Sequence, residues 1–211
     1  NRGATYFNET NFENFDRLGF LKEIIDPLYK TLGDFPLDDE SYSYILKSLP
    51  LNLNTTSLFD DTLLDPYFYT DLTEKEDSEL LTSLGKSLFY DTKLSTTNTV
   101  SCATCHNPKL AFTDGLPKPI SFKNGDTLQR NTPTLLNAVY ANRFFYDLRA
   151  FNLEQQAEHV IFNENEFNSS YTAILNSLSK NDAYTSKLKN TFGDTLISRE
   201  RVLKALASYT S

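Results

Sequence analysis

S101-C-A-T-C-H106 decides how this chain is read. The six residues hold both cysteines of the protein and one of its two histidines. Two thiols separated by two residues and followed directly by an imidazole fit three chemistries. A disulfide across two intervening residues belongs to redox folds with βαβ patterns, and no such pattern is visible here. A zinc site needs two further Cys or His ligands at suitable spacing, and only distant His159 remains. The third chemistry is covalent attachment of a c-type haem, for which C-x-x-C-H is the signature. The thiols of Cys102 and Cys105 then add to the haem vinyl groups, and His106 is delivered to the iron as proximal ligand. Use of every cysteine in this one motif favours haem attachment.

Composition sets outer limits. The 211 residues suffice for one good-sized domain, or a domain with an extension, and 39% hydrophobic with 13% aromatic residues can supply a core. Charged residues at 23% give no sign of wholesale disorder. A net charge of −8 argues against nucleic acid, whose phosphates need basic stripes, and is compatible with docking a basic protein. No apolar run is long enough to cross a bilayer. The opening N-R-G-A-T-Y-F has no hydrophobic signal core, so an export signal has been removed or lies outside this chain. Haem is attached in this way outside the cytoplasmic membrane of bacteria, which makes the periplasm the expected compartment. Met is absent altogether, which removes a common second axial ligand of haem iron.

Periodicity predicts a mainly α protein with long loops, a small helical module over 1–72 preceding residues 73–211, where the C-x-x-C-H motif implies a cytochrome c-like haem domain. Phe12, Phe15, Leu18, Leu21, Ile24 and Ile25 recur at a helical period, and Pro27 is expected to kink or end that helix. A second short helix is expected over 38–49, before Pro50, and a connecting loop over 50–72. T73-E-K-E76 has the capping-box pattern, predicting a helix from Thr73 through Leu88. From Asp91 to Thr134 the chain is rich in Pro, Gly, Asn, Thr and Ser, predicting loop around a short helix at the cysteines. Residues 134–140, 153–159, 171–179, 182–192 and 198–209 are predicted helical.

The runs L84-G-K-S-L-F-Y-D-T-K-L-S95, S101-C-A-T-C-H-N-P108, A111-F-T-D-G115, R130-N-T-P-T-L-L-N137, F144-F-Y-D-L-R-A150, L153-E-Q-Q-A157, N163-E-N-E-F167 and S198-R-E-R-V-L-K-A-L-A-S-Y209 stand in order. Over roughly residues 73–211 the chain resembles the N-terminal haem segment of bacterial di-haem cytochrome c peroxidases. The resemblance implies a peroxidatic haem held by His106, with Gln156 and Glu166 over the face where hydrogen peroxide binds. The chemistry stands beside that resemblance: cleaving O–O needs a proton taken from the near oxygen and returned to the leaving one. A carboxylate can shuttle it, and a neutral amide can orient the peroxide. Asn131 matches a family position that binds calcium. Arg130, Arg143 and Arg149 are candidates for haem propionate contacts, although surface ion pairs explain each equally well. The implied electron donor is a small cytochrome or other redox protein, acting through a second haem domain; a homodimer is left open.

Four departures qualify the resemblance. The family's second C-x-x-C-H is not in these residues, so the chain is expected to be a fragment of the full enzyme. The Trp thought to lie between the haems is Tyr146, which relays an electron only if its proton can leave, and F-F-W-D-G-R-A becomes F-F-Y-D-L-R-A. The loop 116–129 has no His to close the distal face, implying an iron already open to peroxide. His159-Val160 replaces Gly-Pro, and His159 lies one helical turn after Gln156, making it a candidate distal ligand beside the commoner reading of a helix-end His. Two alternatives stand beside peroxide reduction: a non-enzymatic electron-transfer or haem-sensing domain, and a relative of the oxidase that matures the quinone cofactor of methylamine dehydrogenase.

Overall fold

The computed structural model describes residues 2–9, 11–33, 49–52 and 55–211. They fall into two compact units, Asn1–Phe68 and Tyr69–Ser211, the division lying just ahead of the boundary expected at 72/73. Among the described residues there is no β-strand, only four isolated bridges.

In the first unit the predicted 12–25 helix is redistributed. Arg2–Glu9 is helical, residues 12–14 turn, and a second helical run starts at Arg17 with Asp16 Oδ1 accepting from Gly19 N–H (2.9 Å). Pro27 does not end that run, which continues as Asp26–Gly33. A π-helical turn, Leu21–Ile25, immediately precedes it, so the register of hydrogen bonding changes where proline has no N–H to give. Rings of Tyr6, Phe7, Phe15 and Phe20 pack on one another at 5.2–6.0 Å. Asp26 Oδ1 pins the following loop by accepting from Ser57 Oγ (2.8 Å) and Leu58 N–H (2.7 Å). The helix expected over 38–49 lies outside the described residues except for Leu49.

The second unit is organised by two helices, Glu79–Tyr90 and Arg199–Thr210. The first buries Leu81, Leu84, Gly85, Leu88 and Phe89, the i, i+3, i+4, i+7 stripe of an amphipathic helix. The second buries Val202, Leu203, Ala205, Leu206, Ala207 and Ser208. Gly85 is the contact point: a Cβ there would lie 1.7 Å from the Ala205 carbonyl oxygen, so only glycine permits this approach. Thr82 Oγ1 and Ser208 Oγ hydrogen-bond across the pair (2.8 Å), and Ser208 also donates to Asp77 Oδ1 (2.6 Å). The first helix begins at Glu79, not at Thr73, because extended Ser78 caps it by accepting from Leu81 N–H (3.2 Å). Thr73 and Glu76 do make the capping-box contact, with Thr73 N–H donating to Glu76 Oε2 (3.0 Å), but in an isolated turn.

Leu153–Phe162, Tyr171–Ser179 and Asp182–Phe192 complete the frame, capped by Asn152, Ser170 and Asn181, whose side chains accept backbone N–H groups. Residues 134–140 do not form a helix: Asn137 is left-handed (φ 60°), and only the 3₁₀ turn Ala138–Tyr140 follows. Between residues 91 and 152 the backbone is loop with short turns, and it carries six of the seven non-glycine residues with positive φ among the described residues: Asn98, Ala111, Phe112, Asn137, Phe145 and Leu148. Backbone held in that sparsely populated region collects at functional sites.

Candidate functional site

Cys102–Cys105 is a single α-helical turn. Extended Ser101 starts it, its N–H donating to Thr104 Oγ1 (3.0 Å), and His106 N–H closes it on the Cys102 carbonyl (2.8 Å). The i, i+3 spacing places both sulfurs on one side of the turn. Both are free thiols, half-buried. Burial pushes Cys102 up to about 12 and Cys105 up to about 11, the charges of Asp114 and Glu166 adding to the latter. Thiol–disulfide exchange centres need the opposite, a depressed thiol pKa, so the pair is unsuited to that chemistry.

His106 is fixed by its neighbours. Its Nδ1 lies 3.0 Å from the Phe112 carbonyl oxygen. A carbonyl only accepts, so Nδ1 carries the proton and the Nε2 lone pair is left for a metal. Burial holds the imidazole below its ordinary pKa, against the pull of the Phe112 and Pro133 carbonyls and the Asp114 charge. The neutral ring is therefore the resting form at neutral pH. What aims the Phe112 carbonyl is a tight turn in which Asn107 N–H donates to Thr113 O (3.1 Å) and Phe112 N–H to Asn107 O (2.8 Å), with Ala111 and Phe112 both left-handed.

Glu166 follows the Leu153–Phe162 helix. Its Oε1 accepts from Asn163 Nδ2 (3.0 Å) and its own N–H donates to the Asn163 carbonyl (3.0 Å). Burial raises its carboxyl to about 7, with the Asn163 hydrogen bond and the Arg149 charge working against the rise. Since its charge acts on Cys105, the fold brings Glu166 into the electrostatic neighbourhood of the C-x-x-C-H turn. Arg149 lies 3.7 Å over the Phe145 ring and pairs with Asp147 (2.8 Å), while Phe145 meets His159 edge to face at 5.3 Å. Glu166, Arg149, Phe145 and His159 thus form one neighbourhood. Gln156 is half-buried on the same helix as His159, which is exposed.

Other candidates stand apart from that group. Tyr146 is 78% exposed, with the Arg130 guanidinium 3.8 Å over its ring. Arg143 lies 4.2 Å over Phe151, and Asn131 is an exposed loop residue. Among the described residues no group of three or more His, Cys, Asp or Glu side chains could hold a metal ion. Three contributors were not singled out from the sequence. Phe112 acts through its carbonyl, which no side-chain pattern betrays. Asn163 stands three residues before Glu166, a spacing that could have suggested it. Asp114 sits within A-F-T-D-G: Oδ1 accepts from Leu116 N–H (3.0 Å), while Oδ2 is buried without a hydrogen-bond partner and bears on Cys105 and His106.

Comparison with known proteins matches residues 79–211 to a family described as di-haem cytochrome c peroxidase. Methylamine utilization protein MauG of Methylorubrum extorquens is 39% identical over 128 residues, covering 60% of this chain and 36% of the relative. Cytochrome c551 peroxidase of Pseudomonas aeruginosa is 33% identical over 129 residues, again 60% of this chain and 36% of the relative. Among solved structures, the diheme peroxidase BthA of Burkholderia thailandensis aligns with a TM-score of 0.55 at 29% identity, over 63% of this chain and 38% of that one. The chain spans a little over a third of the length of the curated relatives it matches.

Proposed function

The chain belongs to the di-haem cytochrome c peroxidase family, and from that premise we propose that it carries the peroxide-reducing haem site of an oxidoreductase. Cys102 and Cys105 hold a covalent c-type haem, and His106 Nε2 ligates its iron. The donor set fits: two protonated, unpaired thiols on one side of a turn, and a neutral imidazole whose Nδ1 is already committed. When bound, haem supplies the metal centre and redox capacity needed to break the O–O bond.

The protein's part is proton handling. Glu166, balanced near 7, accepts a proton from the near oxygen of hydrogen peroxide and returns it to the leaving oxygen as water departs. Gln156 orients the peroxide by its amide, and Arg149 tempers the Glu166 charge. What supports this reading is the Glu166 carboxyl, which burial raises to about 7 and whose charge bears on Cys105. Electrons come from a small cytochrome or other redox protein, and the net charge of −8 favours a basic one. The site operates in the periplasm, where such haem attachment occurs; no helix among the described residues is long and apolar enough to cross a membrane.

The test is peroxide turnover by haem-loaded protein with a reduced cytochrome donor. Glu166→Gln keeps the shape and removes the base, so turnover falls by about 100-fold or more. Turnover unchanged in that variant sinks the acid–base role. A second reading gives the same site a protein substrate, as in the maturation oxidase, and the 39% identity to MauG favours it. Efficient steady-state turnover with a cytochrome donor decides against it.

A further inference from the structure

A file of aromatic rings starts at the His106 loop. Phe112, whose carbonyl holds His106 Nδ1 at 3.0 Å, meets Phe89 edge to face with centroids 6.2 Å apart. Phe89 is 1% exposed and touches two tyrosines, Tyr209 at 5.1 Å and its neighbour Tyr90 at 5.4 Å. The two tyrosine rings are 6.4 Å apart. Tyr209 is half-buried, whereas Tyr90 is 45% exposed. The arrangement is held by the tight helix packing at Gly85, since Tyr209 Cβ would itself lie 3.0 Å from a Cβ at position 85.

We propose that Tyr209 and Tyr90 form an electron relay by which oxidising equivalents leave the haem site for a one-electron donor at the protein surface. It rests on the haem-peroxidase reading above, with hydrogen peroxide as the oxidant. One electron passes from a tyrosine to the oxidised haem, and the phenol loses its proton, leaving a neutral tyrosyl radical. The surface donor then returns one electron and solvent returns the proton, restoring the phenol. Phe112 and Phe89 have no accessible oxidised state and serve as the dense medium through which the electron tunnels. The tyrosines are the groups that can hold the charge. Tyr90 is open to solvent and releases its phenol proton to water, so oxidation there leaves no charge stranded. Tyr146, by contrast, is stacked under the Arg130 guanidinium, a cation that opposes oxidation of the ring beneath it.

The experiment mixes the haem-loaded chain with hydrogen peroxide, freezes it within the reaction, and records electron paramagnetic resonance alongside the haem absorption band. Spin-trap adducts are mapped by peptide mass spectrometry. A tyrosyl signal is expected, with adducts on Tyr90. The signal is lost in the Tyr90→Phe/Tyr209→Phe double variant and kept in Tyr146→Phe. Phenylalanine preserves both rings, and circular dichroism checks the fold. Should the double variant not fold, Tyr90→Phe alone removes an exposed hydroxyl and must shift the adduct from Tyr90 to Tyr209. A signal that survives the double variant, or adducts confined to Tyr146, overturns the relay. Peroxide that changes the haem band without any tyrosyl signal refutes the relay alone. A haem band indifferent to peroxide refutes the peroxidase reading, and the relay falls with it.

Discussion

Replacing Gly85 by alanine tests the packing on which the second unit depends. The added Cβ would stand 1.7 Å from the Ala205 carbonyl oxygen, 2.6 Å from its carbon and 3.0 Å from Tyr209 Cβ. The first contact is roughly 1.5 Å or more inside van der Waals distance. Two of the three atoms are backbone, so no side chain can swing aside; the helices must part, loosening Leu81, Leu84 and Leu88 together. Overpacking of this kind costs about 1–3 kcal/mol, and a clash with helix backbone belongs at the upper end. Alanine returns about 1 kcal/mol through its better helix propensity. The net loss is about 2 kcal/mol, which for a domain of this size lowers Tm by roughly 4–8 °C. Thermal and urea unfolding followed by circular dichroism measure it. Ser83→Ala is the control: Ser83 is exposed on the same helix, and there alanine brings its propensity gain without a clash. Gly85→Ala as stable as the parent, or stabilised alongside Ser83→Ala, refutes the reasoning, because the helices would then have room at their crossing.

Two further outcomes follow from strain and burial. Leu148 is left-handed (φ 59°) and 58% exposed, so Leu148→Gly sacrifices little burial and relieves backbone strain of about 1–2 kcal/mol, against about 0.5–1 kcal/mol of extra chain entropy. The denaturation midpoint should rise slightly; a fall would show that the leucine side chain, not the backbone, governs this turn. Glu166 binds its proton more tightly folded than unfolded, so the native state holds more protons between the ordinary carboxylate range and about 7. Stability of the haem-free chain therefore falls as pH rises through that window, and Glu166→Gln flattens the decline. A slope unchanged in the variant would show that the carboxyl is hydrated in solution. Under the proposed acid–base role the ionised form is the base in the haem-loaded chain, so turnover should rise with pH with a midpoint near 7, a limb missing from Glu166→Gln.

The sequence was most legible where one periodic face meets one core. Tyr171–Ser179 and Asp182–Phe192 coincide with the predicted spans, and Arg199–Thr210 begins directly after the expected Ser198. Each has a cap residue and a buried stripe that together define its ends. Prediction strayed where two signals competed for one boundary. Thr73 and Ser78 both offer an N-cap, and only the tertiary contacts of Asp77 and Ser208 explain why the helix waits for the second. At Pro27 a π turn absorbed the missing donor, a solution that no residue pattern advertises.

For the site, the motif named the atoms but not their environment. Cys102, Cys105 and His106 are legible because the chemistry demands those elements at that spacing. The state of His106, in contrast, is set by a carbonyl, and that carbonyl is aimed by two successive left-handed residues, Ala111 and Phe112, neither of them glycine. A sequence reader finds left-handed backbone by looking for glycine or asparagine, so this turn is invisible until folded. The same holds for Leu148, where the resemblance leads one to expect glycine and the backbone keeps the glycine conformation regardless. That persistence is informative in itself. A leucine driven into the left-handed region must be held there by what surrounds the turn, here the Phe144–Ala150 bridge closed by Phe144 N–H on Ala150 O (2.8 Å) and Leu148 N–H on Phe145 O (3.1 Å). The loop that carries Phe145 and Arg149 towards Glu166 is therefore shaped by its closure, and the strain at Leu148 is the cost of holding those two side chains in place.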